Sequence, residues 1–144
     1  MLKEKTPGRK IAMMFIDPAF GAPYVERLNT LGFQNVLEVS FGAKARDDHF
    51  ANMRAYMWDG MKDWLRSGAI QAKNARLEAD LTAPGYHINR QNQLVIEAKE
   101  QIQKRGVASP DDADSLCLTF AAPVLSKPIT AEMLRPTSQR PWSG

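Results

Sequence analysis

The first third of the chain alternates apolar runs with one amphipathic stretch, which is typical of an α/β domain. A continuous apolar run, 11–16, ends at Asp17 and predicts a strand buried on both faces. A second apolar stretch, 35–41, predicts another strand, and 23–30 between them predicts a helix closed by Gly32. This order implies a right-handed crossover and a parallel pair. Asp17 then lies at the carboxyl end of its strand, where ligands and catalytic groups collect in α/β sheets.

A stripe of large apolar residues predicts the longest helix, 50–66. Its expected buried residues recur at helical spacing: Met53, Met57, Met61 and Trp64. Arg54 is expected off that stripe. A methionine stripe of this kind is more often core than cofactor pocket.

The next part of the chain predicts shorter elements. The segment 75–81 fits a short helix, and 85–88 with 93–96 fits a hairpin around the polar turn 89–92. The lysine-rich segment 97–106 fits either a short exposed helix or an extended basic arm.

A final helix is predicted from Ser109 to about Ala122. Ser109 suits the N-cap, and Pro110 suits the first helical position. Its expected core stripe is Ala113, Leu116, Cys117 and Phe120.

Two acids lie beside that stripe, because Asp111 and Asp114 are three residues apart. Acids in a first turn commonly complement the helix dipole, which accounts for Asp111 and Asp112. Asp114 is deeper and needs a positive partner if it is desolvated. The helix taken alone favours the dipole interpretation.

The composition is typical of one globular domain. By itself it does not indicate an anionic partner. The 144 residues are 24% charged and 44% hydrophobic, with a formal net charge of +3. This balance permits nucleic-acid binding without requiring it. We expect a flexible lead-in over 1–10, a domain over 11–122 and an extended proline-rich tail over 123–144. No apolar run suits a membrane span or signal peptide, so a cytoplasmic protein without a membrane partner is expected.

Several kinds of site are disfavoured. His49 and His87 have no local partner at zinc spacing, and Cys117 is expected to be a buried small hydrophobe. No phosphate-binding P-loop is present. The basic residues suit phosphate contacts and a solvated surface equally well; they are Lys44, Arg46, Arg54, Lys99, Lys104 and Arg105.

Asp17 and Asp114 provide the clearest candidate chemistry. Carboxylates from a strand end and a helix start can converge on Mg²⁺ or Mn²⁺, which prefer oxygen ligands. Spacing alone supports this weakly, because acids about a hundred residues apart are common.

Several ordered blocks together resemble the C-terminal nuclease domain of tailed-phage terminase large subunits. Each block is weak alone, but the ordered set covers about residues 11 to 122. The blocks are Phe15-Ile16-Asp17 with Phe20-Gly21; Val39-Ser40-Phe41-Gly42 with Ala45; Ala51 to Trp58; Met61-Lys62-Asp63-Trp64-Leu65; Leu77 to Leu81; Leu94 to Lys99; Lys104-Arg105-Gly106; and Ser109 to Asp114.

The resemblance implies a truncated RNase H-like α/β fold, with a mixed sheet flanked by helices. It also implies metal-dependent cleavage of double-stranded phage DNA during genome packaging, in a bacterial cytoplasm. Asp17 and Asp114 match metal-binding acids of that family, and Asp111 matches an assisting polar residue. DNA contacts are expected from basic residues, namely Arg54, Lys99, Lys104, Arg105 and Lys44.

The sequence departs from that family in what precedes Asp17. The family's first acid lies on an earlier strand, which is missing here together with the ATPase motor and its Walker A motif. We therefore expect the C-terminal portion of such a domain, either a prophage remnant or a shortened gene product. Another chain or Glu97 would have to supply the third acid.

An inactive domain that binds DNA is the alternative. An unpaired edge at the Asp17 strand invites pairing with another chain, so a homo-oligomer is expected. Other phage packaging proteins are further candidate partners.

Overall fold

The residues that the structure describes form nine short elements in an α/β arrangement. The computed structural model describes residues 11–70 and 74–124, apart from the side chain of Phe20. In order, the elements are β1 (Met14–Ile16), α1 (Pro18–Thr30), β2 (Val36–Glu38), α2 (Met53–Leu65), α3 (Ala75–Thr82), β3 (Tyr86–Ile88), β4 (Leu94–Ile96), α4 (Lys99–Lys104) and α5 (Asp111–Leu118). The predicted lead-in, 1–10, and most of the predicted tail lie outside the described residues.

The strands form two separate pairs. β1 and β2 are parallel, with Phe15 opposite Leu37, which confirms the predicted parallel unit. β3 and β4 are antiparallel, with His87 opposite Val95, which confirms the predicted hairpin. A single parallel bridge joins Phe50 to Leu94 and brings the hairpin to the start of α2.

The β1–α1 junction is built by Asp17 and the residues after it. Asp17 caps α1, since its carboxylate accepts a hydrogen bond of 3.1 Å from the amide of Ala19. Pro18 takes the first helical position, so α1 begins five residues earlier than 23. Gly21 is buried against Ile16 and donates its amide to the Asp17 carbonyl at 3.0 Å. This glycine lets the helix start close against the strand.

The prediction that 11–16 is buried on both faces is wrong. The strand covers only Met14–Ile16, and these residues are half-buried. Ile11 and Met13 are exposed. The physical reason is that β1 packs mainly on β2 and α1 in the described part of the chain.

The core lies around α2. Met53, Met57 and Met61 are buried as predicted, and the helix is capped by Asn52. Trp64 is 38% exposed, so its prediction as a core residue is wrong. Its ring instead lies 5.8 Å from that of Phe120, at the edge of the core.

The hairpin and α4 follow the predicted order. Asn92 takes a left-handed backbone conformation in the turn, with φ of 60°. The side-chain oxygen of Asn89 accepts the amides of Gln91 and Gln93, each at 2.9 Å. The short helix α4 is fixed by Ile102, which is fully buried.

The last helix is shorter than predicted. It ends at Leu118 rather than near Ala122, and Pro110 occupies the N-cap without a side-chain hydrogen bond. The hydroxyl of Ser109 donates to Asp111 at 2.7 Å, so Ser109 is not the cap. The carboxylate of Asp80 on α3 caps α5 instead, because it accepts a hydrogen bond from the amide of Asp112 at 2.9 Å.

No helix among the described residues is both long enough and apolar enough to cross a membrane.

Candidate active site

Asp114 is the buried acid around which the candidate site is built. It is 3% exposed, on the side of α5 that packs against α2. Its Oδ1 accepts hydrogen bonds from Arg54 Nε at 3.1 Å and from Trp58 Nε1 at 2.8 Å. Arg54 and Trp58 are four residues apart on α2, so both reach the same carboxylate.

Arg54 lies inside the protein, although the sequence places it off the buried stripe. It is 8% exposed, so the expectation of a surface residue is wrong. The reason is its pairing with Asp114, since a buried charge is tolerated when an opposite charge and hydrogen bonds meet it. Its Nη1 also donates to the Glu97 carbonyl at 2.6 Å.

Lys99 brings two carboxylates together. Its Nζ lies 2.9 Å from Asp111 Oδ1 and 3.0 Å from Asp114 Oδ2. Asp114 Oδ2 is buried and has no hydrogen-bond partner among the described residues. Its contact with Lys99 is therefore an ion pair without hydrogen-bond geometry. Two oxygens three residues apart on α5 therefore converge on one positive charge.

The ion pairs of Lys99 shift the pKa values of Lys99 and Asp111. Burial acts to lower the pKa of Lys99, but its contacts with Asp111 and Asp114 outweigh burial and raise that pKa. Hydrogen bonds from Lys99 and Ser109 lower the pKa of Asp111. The cluster thus favours an ammonium between two carboxylates.

Glu97 belongs to a neighbouring ion pair. Its carboxylate accepts hydrogen bonds from Arg105 Nη2 at 2.6 Å, from Arg105 Nε at 2.9 Å and from the Gly85 amide at 2.9 Å. These bonds, Arg105 first, lower the pKa of Glu97. Among residues 11–70 and 74–124, Glu97 does not complete a group of three acids with Asp111 and Asp114, so the structure does not place it as the substitute third acid.

Asp17 stands apart from the acid pair in its contacts. Its side chain caps α1 by accepting the amide of Ala19. Within residues 11–70 and 74–124 no group of three or more His, Cys, Asp and Glu side chains is arranged to hold a metal ion. The structure thus brings together Asp111, Asp114 and Lys99 but gives no contact that adds Asp17.

The other predicted basic residues are at the surface. Lys44 pairs with Asp48 at 3.4 Å on an exposed loop, and Lys104 is exposed on α4. Arg105 is half exposed while held by Glu97. Of Lys44, Lys99, Lys104 and Arg105, only Lys99 contacts Asp111 and Asp114 in the described part of the chain.

The oxygens of Asp111 and Asp114 suit a divalent cation. Mg²⁺ is commonly held by one or two carboxylates and completes its shell with water and substrate phosphate. Arg54 and Trp58 both donate hydrogen bonds to Oδ1 of Asp114. The other carboxylate oxygen, Oδ2, therefore faces Lys99. Lys99 occupies the position between this oxygen and Asp111 Oδ1.

Two supporting residues were missed from the sequence. Trp58 was not singled out as a donor to Asp114, although its spacing from Arg54 is a usable signal once Arg54 is known to be buried. Asp80 was not singled out at all, because its contact with Asp112 crosses between two helices and leaves no local pattern.

Comparisons with known proteins identify the fold. No protein-family model matches the sequence, and no curated protein does. The structure is similar to the nuclease domain of the large terminase subunit of bacterial virus Sf6, solved with manganese as a lysine-to-alanine variant. The TM-score is 0.61 at 20% identity, over 76% of this chain and 65% of that one. The same variant with calcium gives 0.62 at 21% identity, covering 76% and 64%, and the unsubstituted domain gives 0.55 at 20%, covering 76% and 64%.

These likenesses confirm the predicted RNase H-like fold class. In place of the one mixed sheet expected, the described residues form a parallel pair and a separate antiparallel pair, both flanked by helices. The chain spans just under two thirds of the nuclease domains that it matches.

Proposed function

We propose that this chain is a terminase-type nuclease domain that cleaves double-stranded phage DNA with Mg²⁺ or Mn²⁺. The observation that carries the proposal is the convergence of Asp111 Oδ1 and Asp114 Oδ2 on one cationic group. The shared fold with a phage nuclease domain solved with manganese supports it. On this proposal the protein works in the bacterial cytoplasm, with DNA and other packaging proteins as partners.

Each residue of the cluster has a separate task in this proposal. Asp111 and Asp114 would hold the cation, and Asp17 is proposed as a further ligand from the strand end. A divalent cation held there would lower the pKa of an attacking water and would supply positive charge for the oxygen that leaves phosphorus. Arg54 and Trp58 hold Asp114 in one orientation, so Arg54 is a positioning residue rather than a direct DNA contact. Lys99 vacates the oxygens and becomes available to a DNA phosphate.

The exposed basic residues supply the remaining DNA contacts. Lys99 begins α4, Lys104 ends it and Arg105 follows, and Lys44 lies on the loop before α2. Arginine and lysine contacts to phosphates are independent of base sequence, so binding should weaken as salt rises.

Plasmid cleavage tests the proposal. The full chain is incubated with supercoiled plasmid and Mn²⁺ or Mg²⁺, and nicked and linear products are measured. The wild type should cleave, and Asp111→Asn, whose side chain is 60% exposed, should fall to background while keeping its circular dichroism spectrum. Asp112→Asn is the matched control on the same helix, since Asp112 pairs with Arg76 at 3.1 Å and not with Lys99. Absence of cleavage by the wild type at protein excess contradicts the proposal, as does equal activity of the two variants.

An inactive, DNA-binding domain that self-associates is the second candidate. The pairing of Asp114 with Arg54 and Lys99 favours it, since the carboxylate is neutralised without any metal. In this case the wild type binds plasmid at low salt but leaves it intact, and Asp17→Ala does not differ from the wild type.

A further inference from the structure

A polar cleft lies beside the acid cluster, between the end of α3, the start of β3 and α4. Its volume is about 440 Å³, and its floor and walls include Thr82, Gly85, Tyr86, Gln101 and Arg105. This volume admits a planar ring of nucleobase size with part of its sugar. The acids Asp111 and Asp114 do not line it.

An exposed aromatic ring marks one wall of the cleft. Tyr86 is 73% exposed on β3, and all three residues of that strand are exposed. An exposed tyrosine offers a flat apolar face at little cost in conformational entropy. Bases of single-stranded nucleic acid stack on such rings regardless of base identity.

A fixed guanidinium also lines the cleft. Arg105 donates to both carboxylate oxygens of Glu97 and, through Nη2, to the Ala83 carbonyl at 2.9 Å. Nη1 makes no hydrogen bond to any described residue. A guanidinium already held in one plane can stack on a base or donate to its edge with little further loss of freedom.

The charge balance in the cleft favours a base over a bare phosphate. Glu97 neutralises Arg105 at 2.6 Å, so the cleft holds little net positive charge for an anion. The other polar side chains of the lining are Thr82, His87 and Gln101, which offer hydrogen-bond donors and acceptors that suit the edge of a base. A base inside a duplex is unavailable, because its faces are covered by its neighbours.

We propose that this cleft binds one unpaired base of single-stranded DNA, stacked on Tyr86 and hydrogen-bonded by Arg105 and Gln101. The inference rests on the proposed function only in taking DNA as the polymer. Glu97 connects the two regions, because its carboxylate holds Arg105 while its carbonyl accepts from Arg54.

Fluorescence anisotropy with a labelled ten-nucleotide oligothymidine tests the inference. The full chain is titrated in EDTA and low salt, so that no cleavage contributes to the signal. Tyr86→Ala should weaken binding about tenfold, whereas Tyr86→Phe should retain it because the ring is kept. Tyr24→Ala is the matched control, since Tyr24 is 69% exposed on α1, far along the chain from the cleft.

A strand of the same length made of abasic sites separates bases from phosphates. We expect it to bind the wild type and Tyr86→Ala with the same weak affinity. Equal effects of Tyr86→Ala and Tyr24→Ala overturn the inference, and so does equal binding of the abasic strand and oligothymidine. Because EDTA removes cleavage from the assay, oligothymidine binding without plasmid cleavage contradicts the proposed nuclease alone. Cleavage without Tyr86-dependent binding contradicts the cleft alone.

Discussion

Asp114 is stable in the interior because three groups meet its charge. A carboxylate that is 3% exposed loses most of its hydration, and this cost is offset by Arg54, Trp58 and Lys99. The arrangement is asymmetric, since Arg54 and Trp58 use one oxygen and Lys99 faces the other. Losing a donor therefore destabilises the fold even where no DNA is present.

Replacing Trp58 by phenylalanine tests that asymmetry. Trp58→Phe removes the 2.8 Å hydrogen bond to a charged oxygen and should lower the free energy of unfolding by about 2 kcal/mol. Trp64→Phe is the matched control, because Trp64 is 38% exposed, and its cost should stay below about 1 kcal/mol. Urea unfolding followed by far-ultraviolet circular dichroism measures both, and equal losses contradict the assignment.

Stability should depend on pH through the Lys99 cluster. The folded pKa of Asp111 is lowered from 3.8, so the stability it contributes is present above pH 3.8 and is lost as pH falls through the folded value. The pKa of Lys99 is raised from 10.5, so its contribution is present below pH 10.5 and is lost as pH rises through the folded value. Lys99→Met should flatten both losses in melting temperatures recorded across pH. An unchanged acid-side slope in that variant would show that Asp111 is not stabilised by Lys99.

At the scale of elements, the start of α5 depends on a neighbouring helix. Pro110 offers no side-chain cap, and the amide of Asp112 is met by Asp80 on α3 at 2.9 Å. α3 and α5 pack against each other, so this contact fixes how α5 presents Asp111 and Asp114. Asp80 is 6% exposed, in keeping with a structural task.

Removing the Asp80 carboxylate should loosen α5. Asp80→Ala should cost about 1–2 kcal/mol, as loss of an N-cap does, and speed hydrogen exchange of amides in α5. Glu78→Ala on the same helix is the control, because Glu78 is exposed, and its effect should be within about 0.5 kcal/mol. If the two variants unfold alike, α5 is held by packing alone.

Local patterns predicted the elements better than their ends. The methionine stripe identified α2, and alternating runs around a polar turn identified the hairpin, because both follow from a short-range period. Asp17 and Pro18 together start α1 five residues before position 23, and the apolar face of the helix does not mark that start. The end of α5 was also missed, since apolar Phe120 and Ala121 continue the helical period through the turn that follows Leu118.

The site was predictable only in part for a similar reason. Three-residue spacing placed Asp111 and Asp114 on one face of a helix, and the structure joins them through Lys99. Nothing in a local pattern fixes the distance between Asp17 and α5, or the burial of Arg54. Both depend on which helices pack together. The resemblance of the ordered blocks predicted a fold class but not those helix contacts.

At the scale of the whole molecule, the β1–β2 pair is sparsely covered. Parallel strands are usually buried on both faces. Here apolar side chains around the pair are 37–56% exposed: Ile11, Met13, Leu31, Phe33 and Leu37. Each of the two strands also pairs with only one other strand among the described residues.

Self-association through this pair is therefore expected. Light scattering should give a mass that rises with concentration above that of one chain, and Leu37→Lys should reduce it, because charge on an edge strand blocks pairing. Ile88→Lys is the matched control, as Ile88 is 55% exposed on β3, in the other sheet. A single-chain mass at all concentrations contradicts the expectation.

The contact between Gly21 and Ile16 restricts how this chain can diverge. A Cβ added at position 21 would lie 2.2 Å from Ile16 Cγ2, on a branched side chain with few alternative χ1 rotamers. Any other residue there would force either Ile16 out of its rotamer or α1 away from β1, at the junction that Asp17 caps. Descendants of this sequence should therefore keep glycine at 21 while the exposed positions Ala22 and Tyr24 vary freely.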